Sequence, residues 1–398
     1  MREAVAVLPD SGSTTATVDE TGTEECQLDI SIVMPCLNEE ASIAICVQKA
    51  MAWLERSGYR GEVLVVDNGS TDRSRELALA AGARVIEEPR RGYGRAYLTG
   101  VPQAQGKYII MGDCDDTYDF TNLEPLIAPL RDGYDLVVGN RYAGGIRPGA
   151  MTWSHRYIGT PVITFLLRTF TGARLGDSQC GLRAFTREAY QRLGLHSTGM
   201  EFASEMILKA MRRRLRVAEV PIPYFPRVGE AKLNTFRDGW RHLRFLMLST
   251  PAYVFTVPGL ILSLMGAIAM ASALLVSRGN ADAWPHWSAV FVGPMLLVVG
   301  INALLLGLAA HLVASGKGII GKSRLSRLYR QHFSLEAFLV AAGALILAGI
   351  GLYVFLGVAP ALDSPPQEAQ VGALAQSLMV VGVDVVLVAF LLGLMKTE

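Results

Sequence analysis

Long apolar blocks in the C-terminal part of the chain limit its possible folds more than any other feature. Hydrophobic residues make up 51% of the 398 residues and charged residues only 18%, whereas about a quarter of the residues are charged in ordinary soluble domains. Charged residues become rare after Arg244. A helix of about 20 apolar residues is long enough to cross a bilayer. We therefore expect an all-α domain of four transmembrane helices in residues 251–398, at about 251–276, 288–313, 337–358 and 371–394.

Basic residues in one loop predict how these helices are oriented. The loop between the second and third blocks contains five of them: Lys317, Lys322, Arg324, Arg327 and Arg330. The other two loops contain one, Arg278. Loops rich in Lys and Arg stay on the cytoplasmic side of a membrane. Because the predicted number of crossings is even, both termini and the N-terminal domain are expected in the cytoplasm, at the plasma membrane if the organism is a prokaryote.

Residues 29–234 show the alternation of short apolar runs and amphipathic runs that is typical of an α/β domain. Strands are expected at 30–34, 62–66, 84–87, 108–111 and 136–139. Helices between them predict a mostly parallel sheet that is covered on both faces. Residues 1–28 are rich in Ser, Thr, Gly and Glu and lack the pattern of a secretory signal. We expect them to form a disordered cytosolic tail.

Two amphipathic segments are expected on the membrane surface. Residues 153–170 are rich in apolar side chains but interrupted by Pro161, so they fit an interfacial helix better than a membrane span. A helix of the protein core is the alternative. Residues 235–250 place Arg237 and Arg241 at helical spacing just before the first apolar block. Anionic headgroups would attract this juxtamembrane helix, so a lipid bilayer is an expected partner.

Cysteines and net charge exclude other classes of protein. The five cysteines are scattered and form no Cys-x-x-Cys pair, which is typical of reduced cytosolic thiols and not of a disulfide or zinc framework. The formal net charge is +1, and we expect no nucleic-acid partner. The sequence leaves the oligomeric state open.

A predicted strand that ends in carboxylates marks the candidate site. Residues 108–111 are apolar, and Asp113, Asp115 and Asp116 follow directly. Ligands of open α/β sheets bind at the carboxyl ends of the strands. Carboxylates spaced Asp-x-Asp can share one hard cation, whose other ligands are water and phosphate oxygens. The sequence therefore indicates a Mg²⁺ or Mn²⁺ site that binds a diphosphate, with a solvated acidic turn as the alternative.

Polar residues also follow the first two predicted strands. Residues 35–40 follow the first strand and residues 67–72 follow the second. Both segments place short polar side chains beside helix N-termini, where a nucleotide can bind. Asp67 could accept hydrogen bonds from ribose hydroxyls or from a base. Together with the acidic residues on a neighbouring strand, these segments predict one coherent site.

These motifs resemble those of the family 2 glycosyltransferases, which have the GT-A fold. Their order is Pro-x-x-Asn-Glu at 35–39, Asp-Asn-Gly-Ser-x-Asp at 67–72, Gly-x-Gly-x-Ala at 92–96 and Asp-x-Asp at 113–115. The chain is similar in particular to polyprenyl-phosphate (dolichol-phosphate) sugar synthases with C-terminal membrane helices. That similarity rests on the segments 139–142, 177–183, 201–205 and 227–233.

The resemblance implies a GT-A catalytic domain and transfer of a hexose with inversion. The donor would be a nucleotide-diphosphate sugar, GDP-mannose or UDP-glucose, and the acceptor a polyprenyl or dolichyl monophosphate. Asp115 would be the main ligand of Mg²⁺ or Mn²⁺, and Asp113 would face the metal or the ribose. Pro35, Glu39 and Asp67 would hold the nucleoside.

The resemblance also implies roles for residues nearer the sugar and the lipid. Arg141 and Arg156 would bind the acceptor phosphate, and Gln179 and Glu201 would line the sugar pocket. Asp115, Arg141 and Gln179 are thus the predicted catalytic residues. Arg227 and Lys232 would contact the phosphates of the donor or the acceptor.

Departures from the family pattern leave the nucleotide base open. Leu37, Asn68 and Ala231 stand where the family often has Tyr, Asp and Ser. Leu37 removes an aromatic ring that could stack on the base, and Asn68 carries no charge for a metal. The choice between uracil and guanine therefore stays open.

Other functions fit the sequence less well. A processive polysaccharide synthase would carry Gln-x-x-Arg-Trp, which does not occur. A dinucleotide-dependent oxidoreductase needs Gly-x-Gly-x-x-Gly after the first strand, where residues 35–40 stand instead. A glycosidase needs carboxylates on both sides of the sugar, and Asp113 and Asp115 are too close in sequence. A membrane scaffold with a decayed transferase domain remains an alternative.

Overall fold

The computed structural model describes residues 28–229, 235–279, 291–316, 327–328, 331, 334–358 and 365–396. Within this part the chain forms two compact units, with the boundary between Leu243 and Arg244. Almost all of the predicted tail lies outside the described residues, as do Lys232 and most of the basic loop that predicts the orientation.

The first unit is built on a seven-stranded sheet in the order β3-β2-β1-β4-β6-β5-β7. Neighbouring strands are parallel except where β6 pairs with β4 and β5. The strands are β1 (Leu28–Cys36), β2 (Gly61–Asp67), β3 (Arg84–Glu87), β4 (Gly106–Met111), β5 (Leu136–Asn140), β6 (Arg183–Thr186) and β7 (Val217–Pro221).

Helices lie between the strands in the chain and after the last strand. They are α1 (Ile43–Ser57), α2 (Ser74–Ala80), α3 (Tyr93–Gly100), α4 (Glu124–Arg131), α5 (Arg141–Gly144), α6 (Thr160–Thr171), α7 (Arg187–Leu193), α8 (Phe202–Arg212) and α9 (Thr235–Ser249). The central strands are apolar over nearly their whole length because both faces are covered. Ile30, Ile32 and Val33 of β1, for example, have no exposed surface.

The segment around Pro161 is helical throughout, which differs from the predicted interruption. The backbone is helical from Trp153 to Thr171, and its turn at His155–Gly159 is a π-helix. Pro161 lies in the first turn of α6, directly after this wide turn. A π-helical turn accommodates a residue that cannot donate its backbone hydrogen bond, so Pro161 does not end the helix.

The second unit contains long apolar helices. They are α10 (Val257–Gly279), α11 (Gly293–Gly316), α12 (Leu335–Val358) and α13 (Pro365–Lys396). Among the described residues, four stretches are long and apolar enough to cross a membrane: Ala252–Ser272, Gly293–Gly316, Leu335–Val358 and Glu368–Leu394. Each overlaps one of the predicted spans.

Small residues let these helices approach closely. A Cβ atom added at Gly266 of α10 would lie 2.4 Å from the backbone nitrogen of Leu297 on α11, and one added at Gly300 would lie 2.4 Å from that of Ser263. Helices in lipid gain packing energy from such close contacts, since lipid and apolar side chains are equally hydrophobic.

A polar pair also joins two of the apolar helices. Asn302 of α11 donates a hydrogen bond from Nδ2 to Oδ2 of Asp384 on α13, at 2.8 Å. Both residues lie inside the apolar stretches of their helices. A polar side chain in lipid needs a partner, because no water is present to replace one.

We expect the substitution Asn302→Leu to destabilise the second unit by about 0.5–2 kcal/mol, because it removes the hydrogen bond to Asp384. Thermal unfolding of the purified protein in bicelles would measure the change. Ser272→Ala is the control, since the exposed Ser272 hydroxyl donates to the carbonyl oxygen of Ala269 in its own helix. Equal unfolding temperatures for Asn302→Leu and the control would contradict the prediction.

Candidate active site

The carboxyl ends of three parallel strands meet at one edge of the sheet. Cys36 at the end of β1 is aligned with Asp67 at the end of β2, and Val33 is aligned with Met111 at the end of β4. The segments that follow these strands therefore lie side by side. The strand ends and the segments after them together contain the predicted site residues Pro35, Glu39, Asp67, Asp113 and Asp115.

The three carboxylates after β4 have different surroundings. Asp113 Oδ1 is closed off from solvent and accepts no hydrogen bond from any described residue. Asp115 Oδ1 accepts hydrogen bonds from the backbone nitrogen and hydroxyl of Thr117, at 3.2 and 2.6 Å. Asp116 has a positive φ of 62°, and its side chain pairs with Lys49 at 2.6 Å. Asp116 thus has a structural partner on α1.

The buried position of Asp113 favours its neutral form. Burial raises the pKa of this carboxyl group to about 7, and the neighbouring Asp115 carboxylate adds to the increase. A Cβ atom added at Gly181 would lie 2.7 Å from Asp113 Oδ2. Only a glycine therefore fits against the carboxylate on that side.

The two carboxylates fit a divalent cation that takes its other ligands from a substrate. Asp113 provides a buried oxygen without a partner, and Asp115 has a second oxygen that is not used by Thr117. Among the described residues, no group of three or more His, Cys, Asp and Glu side chains could enclose a metal. Water and phosphate oxygens would have to complete the coordination, as is usual for Mg²⁺.

Arg227 lies beside the acidic residues. Its guanidinium pairs with Glu39 Oε1 through Nη2, and its Nη1 is 3.4 Å from Asp115 Oδ2. The next residue, Val228, donates its backbone N–H to the carbonyl oxygen of Asp115 at 3.1 Å. Phe225 likewise donates to the carbonyl oxygen of Thr117 at 3.0 Å. These two backbone hydrogen bonds hold the segment after β7 along the acidic turn.

Two residues at the end of β2 have different roles: Asp67 can bind a ligand, and Asn68 is structural. Asp67 is largely buried and accepts a hydrogen bond from the backbone nitrogen of Ser70 at 3.2 Å. Asn68 donates from Nδ2 to the carbonyl oxygens of Glu88 and Arg90 and accepts from the backbone nitrogen of Gly92. The Asn68 amide thus holds the loop before α3, a role that its place in the motif does not reveal.

Arg141 is buried and paired with a carboxylate. Its Nε and Nη2 donate to the two oxygens of Asp177, at 2.6 and 2.9 Å, and its guanidinium lies 5.1 Å from the centre of the Tyr224 ring. Burial alone would lower the pKa of Arg141, but Asp177 raises it well above the ordinary value. The predicted contact of Arg141 with an acceptor phosphate stays a prediction, since in this structure Asp177 holds the guanidinium.

Arg183 is a structural residue that the sequence reasoning missed. Its side chain is fully buried and donates at 2.8 Å to three backbone carbonyl oxygens, those of Ser178, Cys180 and Ala203. Burial lowers the pKa of this guanidinium. The three bonds fix the loop that carries Gln179 against the start of α8. The position of Arg183 in the sequence, two residues after Cys180-Gly181, does not indicate this role.

Gln179 and Glu201 lie on either side of this junction. Gln179 Nε2 donates to the carbonyl oxygen of Ser178 at 3.2 Å and to Ser204 Oγ at 3.2 Å. Glu201 accepts a hydrogen bond from the backbone nitrogen of Gly199 through Oε1, while its buried Oε2 has no partner among the described residues. Glu201 therefore retains an acceptor for a hydroxyl group.

Glu205 and Arg156 have other partners in the structure. Glu205 accepts from the backbone nitrogens of His196 and Ser197 and pairs with Lys209, so its role is structural. Arg156 lies in the π-helical turn before α6, with its guanidinium 5.4 Å from the centre of the Tyr157 ring.

Comparisons with known proteins agree with this architecture. Residues 31–194 match the glycosyl transferase family 2, and residues 308–396 match the C-terminal transmembrane region of family 2 glycosyltransferases. A low-salt glycan biosynthesis hexosyltransferase of Haloferax volcanii, Agl6, is 40% identical over 370 residues, which are 92% of this chain and 88% of that protein. The chain belongs to glycosyltransferase family 2. The predictions of a GT-A fold and of a membrane-bound glycosyltransferase are thereby confirmed.

Other relatives match about half of the glycosyltransferase chain. A dolichyl-phosphate hexose transferase of Haloferax volcanii is 36% identical over 214 residues, which are 53% of this chain and 89% of that protein. A crystal structure of glucosyl-3-phosphoglycerate synthase from Mycobacterium tuberculosis in complex with Mg²⁺ and uridine diphosphate is 23% identical. It has a TM-score of 0.46 and covers 56% of this chain and 79% of that chain.

We expect Asp177→Ala to destabilise the first unit of the glycosyltransferase by about 3–5 kcal/mol, because it leaves the charge of Arg141 buried without a partner. The double substitution Arg141→Met with Asp177→Leu should recover part of the loss. Denaturant unfolding monitored by tryptophan fluorescence would compare the variants.

The control for Asp177→Ala is Glu76→Ala, which breaks the exposed pair of Arg73 and Glu76. This substitution should leave the stability unchanged, since solvent screens exposed ion pairs. If Asp177→Ala behaves like Glu76→Ala, the pair of Arg141 and Asp177 does not stabilise the fold.

Proposed function

We propose that the protein transfers a hexose, with inversion, from a nucleotide-diphosphate sugar to a polyprenyl or dolichyl monophosphate. The observation that carries the proposal is the buried Oδ1 of Asp113, which has no partner among the residues that the structure describes and belongs to the same sheet edge as Asp115, Glu39 and Asp67. The similarity to a dolichyl-phosphate hexose transferase supports the lipid acceptor. GDP-mannose and UDP-glucose are the two candidate donors.

The donor would bind along the carboxyl ends of β1, β2 and β4. Pro35, Glu39 and Asp67 border the place for the nucleoside, with Asp67 accepting hydrogen bonds from hydroxyl groups. Asp113 and Asp115 would hold a Mg²⁺ or Mn²⁺ ion between the strand edge and the diphosphate. Such an ion, when bound, offsets the charge that builds up on the departing nucleoside diphosphate.

Arg227 would exchange partners when the donor binds. In the structure it compensates Glu39 and Asp115. A cation on Asp115 would take over that compensation and release the Arg227 guanidinium to the phosphates, which it can bind through two parallel hydrogen bonds. Lys232 follows five residues later in the sequence and would add a further positive charge.

The acceptor can attack without a general base from the protein. The second pKa of a phosphate monoester is about 6, so its oxygens are largely ionised at neutral pH. The protein then has to position two anions in line despite their repulsion, for which Arg156 and Arg227 are available. Glu201 and Gln179 would orient the sugar through its hydroxyl groups.

Exposed apolar side chains on the helix before the Gln179 loop support a membrane-facing acceptor site. The helical segment from Trp153 to Thr171 exposes five of them: Trp153, Tyr157, Ile158, Val162 and Phe165. A group of this kind is typical of a surface that contacts a membrane or a protein, and Arg156 lies among them as a partner for phosphate headgroups. We place this surface on the cytoplasmic leaflet, together with both termini, from the basic loop of the membrane domain.

We expect Asp115→Ala to lower the rate of sugar transfer about 100- to 1000-fold, because the departing diphosphate loses its charge compensation. The assay follows labelled glucose from UDP-glucose and labelled mannose from GDP-mannose into polyprenyl phosphate, with purified protein and Mg²⁺ or Mn²⁺. Binding of Mn²⁺, followed by its electron paramagnetic resonance signal, should be lost in parallel.

Asp116→Asn is the matched control for Asp115→Ala, because Asp116 belongs to the same turn but pairs with Lys49. It should retain most of the transfer activity. Full activity of Asp115→Ala, or no transfer by the wild-type protein from either donor, would overturn the proposed function.

We expect Phe165→Ser to raise KM for a long-chain polyprenyl phosphate in vesicles severalfold, because Phe165 is 66% exposed on the proposed membrane surface. KM for a short, water-soluble isoprenyl phosphate should stay the same. Leu79→Ser is the control, since Leu79 of α2 is similarly exposed, at 52%. An equal change for both acceptors, or for both variants, would argue against a membrane contact at Phe165.

A further inference from the structure

A buried chain of hydrogen bonds extends from the Gln179 amide to α9. Gln179 Nε2 is 3.2 Å from Ser204 Oγ on α8, and Ser204 Oγ is 2.8 Å from His242 Nδ1 on α9. Ser204 has no exposed surface, and His242 is 7% exposed. All three residues belong to the first unit. Neither Ser204 nor His242 has a role in the transfer as described so far.

The same chain continues in the opposite direction to α6. Gln179 Nε2 is 3.0 Å from Ser178 Oγ, and Ser178 Oγ is 2.9 Å from Thr164 Oγ1 on α6. Ser178 and Thr164 are both buried. The loop that carries Gln179 is thus held from two sides. On one side is α6, which exposes the proposed membrane surface, and on the other is α9, which precedes the first apolar span.

These contacts determine which way the Gln179 amide faces. The carbonyl oxygen of Ser178 can only accept a hydrogen bond, so the amide must present its NH₂ group to it. The two hydrogens of that group are then used within the network, one towards Ser178 and one towards Ser204. The Oε1 atom is left as the acceptor for a ligand, two residues from Gly181, where an added Cβ atom would lie 2.7 Å from Asp113 Oδ2.

Ser204 can hold the amide in this orientation only if its own hydrogen has a suitable partner. A hydroxyl group has one hydrogen and two lone pairs. When Ser204 Oγ accepts from Gln179, its hydrogen can point to His242 Nδ1 at 2.8 Å, which requires the His242 tautomer that carries its proton on Nε2. Replacing His242 by an apolar side chain removes that partner and allows the hydroxyl and the amide to rotate.

We infer that His242 is a positioning residue for Gln179, acting through Ser204, and that the seating of α9 thereby controls how the donor sugar is held. The inference rests on the proposed function, since it needs Gln179 to bind the sugar. It assigns a role to α9 beyond the membrane contact that its amphipathic pattern predicts.

A double-mutant cycle on donor binding tests this inference without relying on turnover. Titration calorimetry would give Kd for UDP and UDP-glucose, and for GDP and GDP-mannose, with the full-length protein. The contribution of the sugar to donor binding is given by the ratio of Kd for the nucleotide to Kd for the matching nucleotide sugar. We expect Gln179→Ala and His242→Ala each to lower this ratio about five- to tenfold, as loss of one hydrogen bond does.

The decisive variant is the combination of Gln179→Ala with His242→Ala. If His242 acts only through Gln179, the double variant shows no further loss than Gln179→Ala alone. His242→Asn, which places a side-chain amide near the position of Nδ1, should restore most of the ratio. Kd for UDP or GDP alone should change in none of these variants. His196→Ala is the control, because His196 is an exposed histidine of the same unit.

Additive losses in the double variant would overturn the inference, and so would an unchanged ratio in His242→Ala. If the wild-type protein transfers sugar but shows either result, the proposed function stands and only the role of His242 fails. If the wild-type protein binds each nucleotide and its nucleotide sugar equally well and transfers no sugar, the proposed function fails and the inference falls with it.

Discussion

Carboxylates buried near one edge of the sheet require positive charges or hydrogen-bond donors, and this requirement organises the catalytic unit. Asp177 is neutralised by Arg141, and Glu39 by Arg227. A buried carboxylate without such a partner would be protonated or would destabilise the fold by several kcal/mol. In the described part of the chain, two buried carboxylate oxygens have no partner: Asp113 Oδ1, whose carboxyl group has its pKa raised to about 7 by burial and by Asp115, and Glu201 Oε2. The fold therefore satisfies its structural carboxylates and leaves acceptors where a cation and a sugar hydroxyl would bind.

The strands and the acidic site could be predicted from the sequence because both have a local signal. A strand that is covered on both faces is a continuous apolar run, and Asp113 and Asp115 follow such a run directly. The short strand β6 was missed because it has four residues and begins with the charged Arg183. Arg183 is tolerated there since three backbone carbonyl oxygens accept its hydrogen bonds.

Partners that are distant in sequence could not be predicted in the same way. Arg141 and Asp177 are separated by 36 residues, and Asn302 and Asp384 by 82. No periodicity of apolar residues connects such positions. Arg141 was therefore expected at a phosphate from its motif alone, whereas the structure shows that a neighbouring motif, which begins with Asp177, provides its counter-ion. The chemistry of each motif could be predicted, but not which motifs neutralise one another.

The charge balance of the site suggests why Arg227 is attached to a segment after the last strand and not to the sheet itself. A nucleoside diphosphate sugar carries two negative charges on its phosphates, and a divalent cation brings two positive ones, so the complex of donor and metal adds no net charge. Arg227 can then move from Glu39 and Asp115 to the phosphates without any change in the net charge of the site. An arginine in this segment can change partners by rotating its side chain, while the backbone bonds of Phe225 and Val228 stay in place. A guanidinium on a central strand would be fixed by the packing of its neighbours. After transfer, the departing diphosphate carries an additional negative charge, which an arginine in contact with it would stabilise more strongly than the intact donor.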